Sequence, residues 1–156
     1  MGESSEKGAK EETVMTGIMV VGHGHFATGI SSAAQLIVGK QRNYAAVDFP
    51  EGDTKTELEA HIREALDTMR DMEQILIFCD ILNGSPFHTV MMESIKDHRL
   101  RVYYGTNLAM LIEILMDREL GNQEEGLQAR LLECGREQIG AFVPEDMKAV
   151  EEDAWD

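Results

Sequence analysis

Apolar positions along this chain alternate between two rhythms. Gly17 to Val21 (GIMVV) is a short apolar run that stops abruptly at Gly22-His23-Gly24, as a buried strand would. Beyond it Ile30, Ala33, Ala34, Ile37 and Val38 recur at helical spacing and Gly39 supplies a stop, so a helix is expected over roughly Phe26 to Val38. Asn43 to Phe49 (NYAAVDF) reads as a second strand. Thr54 and Glu57 fit a capping box, with Leu58, Ile62, Ala65, Leu66 and Met69 as the inner face of the helix it opens. Gln74 to Cys79 (QILIFC) is almost wholly apolar, the pattern of a strand covered on both faces, and it ends in Asp80.

Ser85-Pro86 reads as a cap residue with proline at the first helical position. The third helix should reach about Lys96, with Phe87, Val90, Met91 and Ile95 inward. Leu100 to Tyr104 gives a fourth strand, and a fourth helix from Leu108 to about Arg118 should bury Leu108, Leu111, Ile112 and Leu115. A fifth helical segment, about Glu124 to Gln138, carries Leu127, Leu131, Cys134 and Ile139 on one face, and Ile139 to Val143 reads as a short closing strand.

Strands and helices in alternation predict an α/β fold: a mostly parallel four-stranded sheet with helices on both faces. Such sheets place their working site at the carboxyl ends of the strands, where the strand order reverses. In the order 2-1-3-4 the reversal falls between the strands that end in His23 and Asp80. Three parts of the chain are expected: a polar extension or expression remnant over 1–15, one domain over 16–143, and an acidic tail over 144–156.

Composition narrows the classes. Of 156 residues, 28% are charged and 43% apolar, the balance of a globular domain. Fourteen basic against 29 acidic residues leave a net charge of −15, which argues against nucleic acid or an anionic membrane as the main partner. No apolar run is long enough for a membrane span and no signal-peptide pattern opens the chain, so a cytoplasmic location is expected. The two cysteines, Cys79 and Cys134, show no disulfide or zinc spacing; Cys79 reads as a buried apolar residue.

The candidate chemistry gathers at His23. A neutral imidazole with one free ring nitrogen is a nucleophile near pH 7, and a carboxylate on the other ring nitrogen fixes its tautomer. Asp80 is the candidate for that carboxylate, and Ser85 with the first N–H groups of the third helix for holding phosphoryl oxygens. The first N–H groups of the helix after His23 are expected to favour an anion at the same spot. Neither a metal nor a nucleotide cofactor is needed. A rival reading pairs His23 with His25 and Asp80 as the metal ligands of a hydrolase; another makes the domain a regulatory binding module with the same site.

These segments together resemble the enzyme IIA (EIIA) component of the mannose class in the bacterial sugar phosphotransferase system. The resemblance covers about residues 17 to 142 and rests on GIMVVGHGHFATGI, VDFPEGD, IFCDILNGSPFH, YYGTNLAMLIE and ECGREQI. It implies a small phosphocarrier that takes a phosphoryl group from HPr on a histidine matching His23, not His25. Asp80 matches the supporting aspartate and Ser85 the phosphate-holding serine. The group then passes to a cognate EIIB, which phosphorylates the sugar entering through membrane components EIIC and EIID. The resemblance also implies a homodimer in which the C-terminal strand, here Ile139 to Val143, adds antiparallel to the partner's sheet. Two departures stand out: Asn83 replaces the first glycine of a frequent Gly-Gly-Ser-Pro, and His25 and His88 stand at positions that vary. A relay carrier never touches the sugar; the GHG-x-F-A-x-G form leans toward amino sugars such as N-acetylgalactosamine.

Overall fold

The computed structural model describes residues 14–121 and 125–146. In chain order the elements are β1 (Thr16–His23), α1 (Phe26–Val38), β2 (Tyr44–Phe49), α2 (Lys55–Thr68) and β3 (Gln74–Cys79). Then come α3 (Ser85–Lys96), β4 (Leu100–Tyr103), α4 (Leu108–Leu120), α5 (Leu127–Glu137) and a 3-10 turn at Pro144–Asp146. The four strands form one parallel sheet in the order β2-β1-β3-β4, as the alternating pattern predicts.

Because successive strand side chains point to opposite faces, the central strands divide their apolar residues between two helical layers. Met19 and Val21 of β1 pack with Ile75, Ile77 and Cys79 of β3 under α2 and α3. Ile18 and Val20 pack with Leu76 and Phe78 under α1, α4 and α5. Phe78 stacks on Tyr103 of β4 with ring centroids 4.9 Å apart. Complete burial of such a side chain contributes about 1.5–3 kcal/mol each, so β1 and β3, covered on both sides, are the rigid base on which the site stands. The capping box of α2 forms as expected: the Thr54 hydroxyl accepts from the Glu57 N–H, and the Glu57 carboxylate accepts from the Thr54 N–H, both at 3.3 Å. At the amino ends of the strands the Arg118 guanidinium donates to the carbonyls of Thr16 and Asn43 and to the Gln41 side chain, joining α4 to β1 and the start of β2.

Some helix faces differ from the sequence expectation. α1 lies on Ala27, Ser31 and Ala34, small residues that bring it close to the sheet and leave Ile37 60% exposed on its flank. α3 rests on Pro86, Thr89 and Val90, so Ile95 in its last turn points to solvent. α4 is pressed by both α1 and α5, which rotates its buried stripe to Met110, Leu111, Ile114 and Leu115, with Leu108 and Ile112 at the edges. Ser85 is the first residue of α3 rather than its cap, and Pro86 stands second. Ile139 to Val143 forms no strand within the chain, since a strand needs a neighbour to complete its ladder; Ile139 and Phe142 are exposed. Of the expected extension, residues 1–13 lie outside the described residues, while the carbonyl of Met15 already accepts from Glu73 and Gln74. Of the acidic tail, 147–156 lie outside them, as does Glu124, where the fifth helix was expected to start.

Candidate functional site

Strand parity decides where the His23 ring goes. His23 has the parity of Met19 and Val21, so at the end of β1 its side chain emerges on the layer of α2 and α3. Asp80, the residue after β3, meets it there. The Asp80 Oδ2 lies 2.8 Å from His23 Nδ1 and also accepts the His23 backbone N–H at 2.8 Å, while Oδ1 accepts from the N–H of Ile81 at 2.8 Å. Burial pushes the Asp80 carboxyl up, but the His23 N–H, the His23 ring and the Ile81 N–H together outweigh it and leave it below its ordinary value. The carboxylate is therefore ionised at neutral pH and can only accept, so Nδ1 carries a ring proton, and in the neutral ring that tautomer leaves the lone pair on Nε2.

The free side of the ring lies against Gly84. A Cβ placed on Gly84 would stand 2.7 Å from His23 Cε1 and 2.9 Å from Nε2, and the residue's φ of 122° is itself a conformation side chains rarely adopt. Gly84 is the cap position of α3, so Nε2 faces the positive end of that helix. Of the first-turn N–H groups, Pro86 has none, and those of Ser85 and Phe87 have no acceptor within the helix. Ser85 follows Gly84 directly, next to the ring in the chain. The His23 side chain is 45% exposed and that of Asp80 12%, so the ring reaches solvent while its carboxylate partner is largely covered.

The start of α1 behaves differently from the expectation. Asp48 of β2 has the parity of Tyr44 and Ala46, on the α1 layer, and its carboxylate occupies that helix end. Oδ1 accepts from the Thr28 N–H at 3.0 Å, and Oδ2 accepts from the Thr28 hydroxyl at 2.6 Å and pairs with His25 Nδ1 at 3.1 Å. Burial raises the Asp48 carboxyl, but the Thr28 and His25 bonds together hold it below the ordinary value. The anion-favouring end of α1 is thus filled by a protein carboxylate, and the end of α3 is left open.

This division also separates the two histidines. His23 is drawn to β3 and His25 to β2, and among the described residues no three His, Cys, Asp or Glu side chains are placed to hold a metal ion. His23, Asp80 and Gly84 come together; His25 stands aside with Asp48, and His61 lies near Asp53 on another flank at 3.9 Å. The sequence reading assigned no role to Asp48 or Gly84. Asp48 was within reach of it, because β2 also ends beside β1 and the register pairs Gly22 with Asp48. An open groove of about 560 Å³ is lined in part by Thr28, Asp48, Asp53 and His61.

Comparison with known proteins matches the chain to one family. Residues 17–131 match the EIIA-man family, described as "PTS system fructose IIA component". The chain is 29% identical over 105 residues to the fructose-specific EIIA component of Bacillus subtilis, covering 67% of this chain and 72% of that protein. It is 30% identical over 129 residues to the mannose-specific EIIAB component of Escherichia coli, covering 82% of this chain but only 40% of the longer relative. Among solved structures, an EIIA from Streptococcus agalactiae has 28% identity and a TM-score of 0.73 over 82% of this chain and 98% of its own. A mannose/sorbose-specific IIA subunit from Enterococcus faecalis, at 24% identity and a TM-score of 0.71 over 83% of this chain and 96% of its own, shares the fold. No helix among the described residues is long and apolar enough to cross a membrane.

Proposed function

The chain belongs to the mannose-class EIIA family of sugar phosphotransferase-system components, and from that premise we propose that His23 is the residue on which it carries the phosphoryl group. The observation that supports this most is the His23–Asp80 pair at 2.8 Å, which commits Nδ1 and leaves Nε2 facing the start of α3.

In the forward step the Nε2 lone pair attacks phosphorus on the phosphohistidine of HPr. The new Nε2–P bond forms as the donor's N–P bond breaks, and the donor imidazole leaves with that electron pair. His23 keeps its proton on Nδ1, so no proton moves between the proteins. Positive charge that develops on the ring is offset by the Asp80 carboxylate. The arriving oxygens are received by the N–H groups of Ser85 and Phe87 and by the Ser85 hydroxyl, at a helix end whose dipole favours negative charge. The return step delivers the group to a cognate EIIB by the same in-line exchange. The relative named as an EIIAB component supports a B-type recipient. Membrane components EIIC and EIID then stand downstream, reached only through EIIB.

A homodimer fits the same reading. β4 is an edge strand, and Ile139 and Phe142, at 77% and 72% exposure, follow α5 as an exposed apolar segment suited to a partner's edge. The test of the site is phosphoryl transfer from phosphoenolpyruvate through enzyme I and HPr. His23→Ala should take no label while His25→Ala takes the wild-type amount; label retained in the first and lost in the second moves the acceptor to His25.

A further inference from the structure

β1 ends between two carboxylates, and only one of them has been given work. Asp80 from β3 takes the His23 N–H and ring; Asp48 from β2 takes the Thr28 N–H, the Thr28 hydroxyl and the His25 ring. Between these anchors lies the short turn that carries the reacting imidazole. The same strand edge adds two backbone bonds, Gly24 N–H to the Phe49 carbonyl at 2.7 Å and Phe49 N–H to the Gly24 carbonyl at 3.2 Å. The Phe49 ring stands 6.3 Å from the His23 ring. The turn is therefore held from both sides, with the Asp48 carboxylate 17% exposed and fully engaged.

We propose that Asp48 is a positioning residue for His23: it locks the Gly24-His25 turn to β2 and neutralises the start of α1, so that the imidazole is aimed at α3 and a phosphoryl group has one helix end to settle on. The proposal rests on the His23 reading above. Two physical effects are combined in it. Geometrically, three donors on one carboxylate fix the first turn of α1, and with it the backbone direction at His23. Electrostatically, an unoccupied α1 end would compete with α3 for the same anion. Without Asp48 the turn keeps the Gly24–Phe49 backbone bonds to β2 but loses the side-chain anchor on His25 and Thr28, and the direction of the chain at His23 is held less firmly.

The test is Asp48→Ala in the full chain, read in two ways. Phosphoryl acceptance from phosphorylated HPr should lose roughly tenfold to a hundredfold in kcat with KM little changed, the loss expected when a reacting group is displaced on the ångström scale. Heteronuclear NMR of the His23 ring nitrogens should change from one tautomer, protonated at Nδ1, to a mixture. In a folded variant, either an unchanged rate or an unchanged ring spectrum overturns the proposal. A fall in rate with the wild-type ring spectrum is what a smaller folded fraction alone produces, so that outcome also counts against it. Should Asp48→Ala fail to fold, Thr28→Val removes one donor and leaves two; it should shift rate and spectrum the same way to a lesser degree, and no shift in either overturns the proposal. The ring spectrum needs no phosphoryl donor. If wild-type His23 takes no phosphoryl group, the reading of the site falls, and the spectrum still judges Asp48.

Discussion

Replacing Gly84 with alanine puts the site under the most direct strain. The added methyl would lie 2.7 Å from His23 Cε1 and 2.9 Å from Nε2. Carbon atoms in contact prefer about 3.5 Å, so the ring or the turn must retreat by about 0.8 Å. The φ of 122° adds a backbone penalty of about 1–3 kcal/mol for a residue with a side chain. Stability should therefore fall by about that amount, while the rate of phosphoryl acceptance falls roughly a hundredfold, because a shift near 1 Å in a reacting atom has that cost. Rapid-quench transfer from phosphorylated HPr measures the rate, and denaturant unfolding measures the stability. Gly52→Ala is the control: its φ of 94° imposes comparable backbone strain, but nothing lies within 4 Å of a Cβ there. It should lose stability and keep the rate. A folded Gly84→Ala protein that accepts phosphoryl within twofold of the wild type would refute the reasoning, since the methyl would then have displaced nothing that matters.

Asp80→Asn should slow phosphoryl acceptance roughly a hundredfold or more, measured in the same transfer assay; an unchanged rate removes Asp80 from the mechanism. It should also alter the acid limb of stability. The folded pKa of Asp80 is lowered from an ordinary 3.8, so its carboxylate stabilises the fold above that value and loses this contribution as pH falls through the folded pKa. The variant should start less stable at neutral pH and lose less on acidification below 3.8, by denaturant midpoints. Cys79 is pushed up to about 12 by burial and then by the nearby Asp80 charge, and it lies wholly inside the sheet. A thiol reagent should modify native Cys134 first and reach Cys79 only on unfolding; prompt labelling of Cys79 would contradict the core assignment.

Much of this was legible because the relevant signals are local. The apolar runs of β1 and β3, the Thr54–Glu57 cap and the glycine stops each announce themselves within a few residues, and the alternation of elements then leaves few topologies. The His23–Asp80 pairing followed from strand order plus the rule that sites gather at strand ends. What escaped the sequence depends on three-dimensional rotation. Whether α1 seats on Ile37 or on Ala34 is decided by how close its small residues let it approach the sheet, and the sequence records only the spacing. Ser85 looked like a cap because its hydroxyl is suited to one; Gly84 takes the position since only a glycine fits beside the imidazole at that φ. Asp48 stayed unassigned because its role depends on which layer it faces, a matter of parity counted from a strand start that sequence sets only to within a residue or two.

The proline in the second position of α3 has a quantitative meaning for a molecule whose task is to hand something on. It strips one hydrogen-bond donor from the turn that would receive three oxygens, leaving two amides and one hydroxyl. A cradle with more donors would lengthen the lifetime of the bound group and slow its departure to the next carrier. On the reading proposed for His23, a cradle that lacks one amide donor would let the group leave as readily as it arrives.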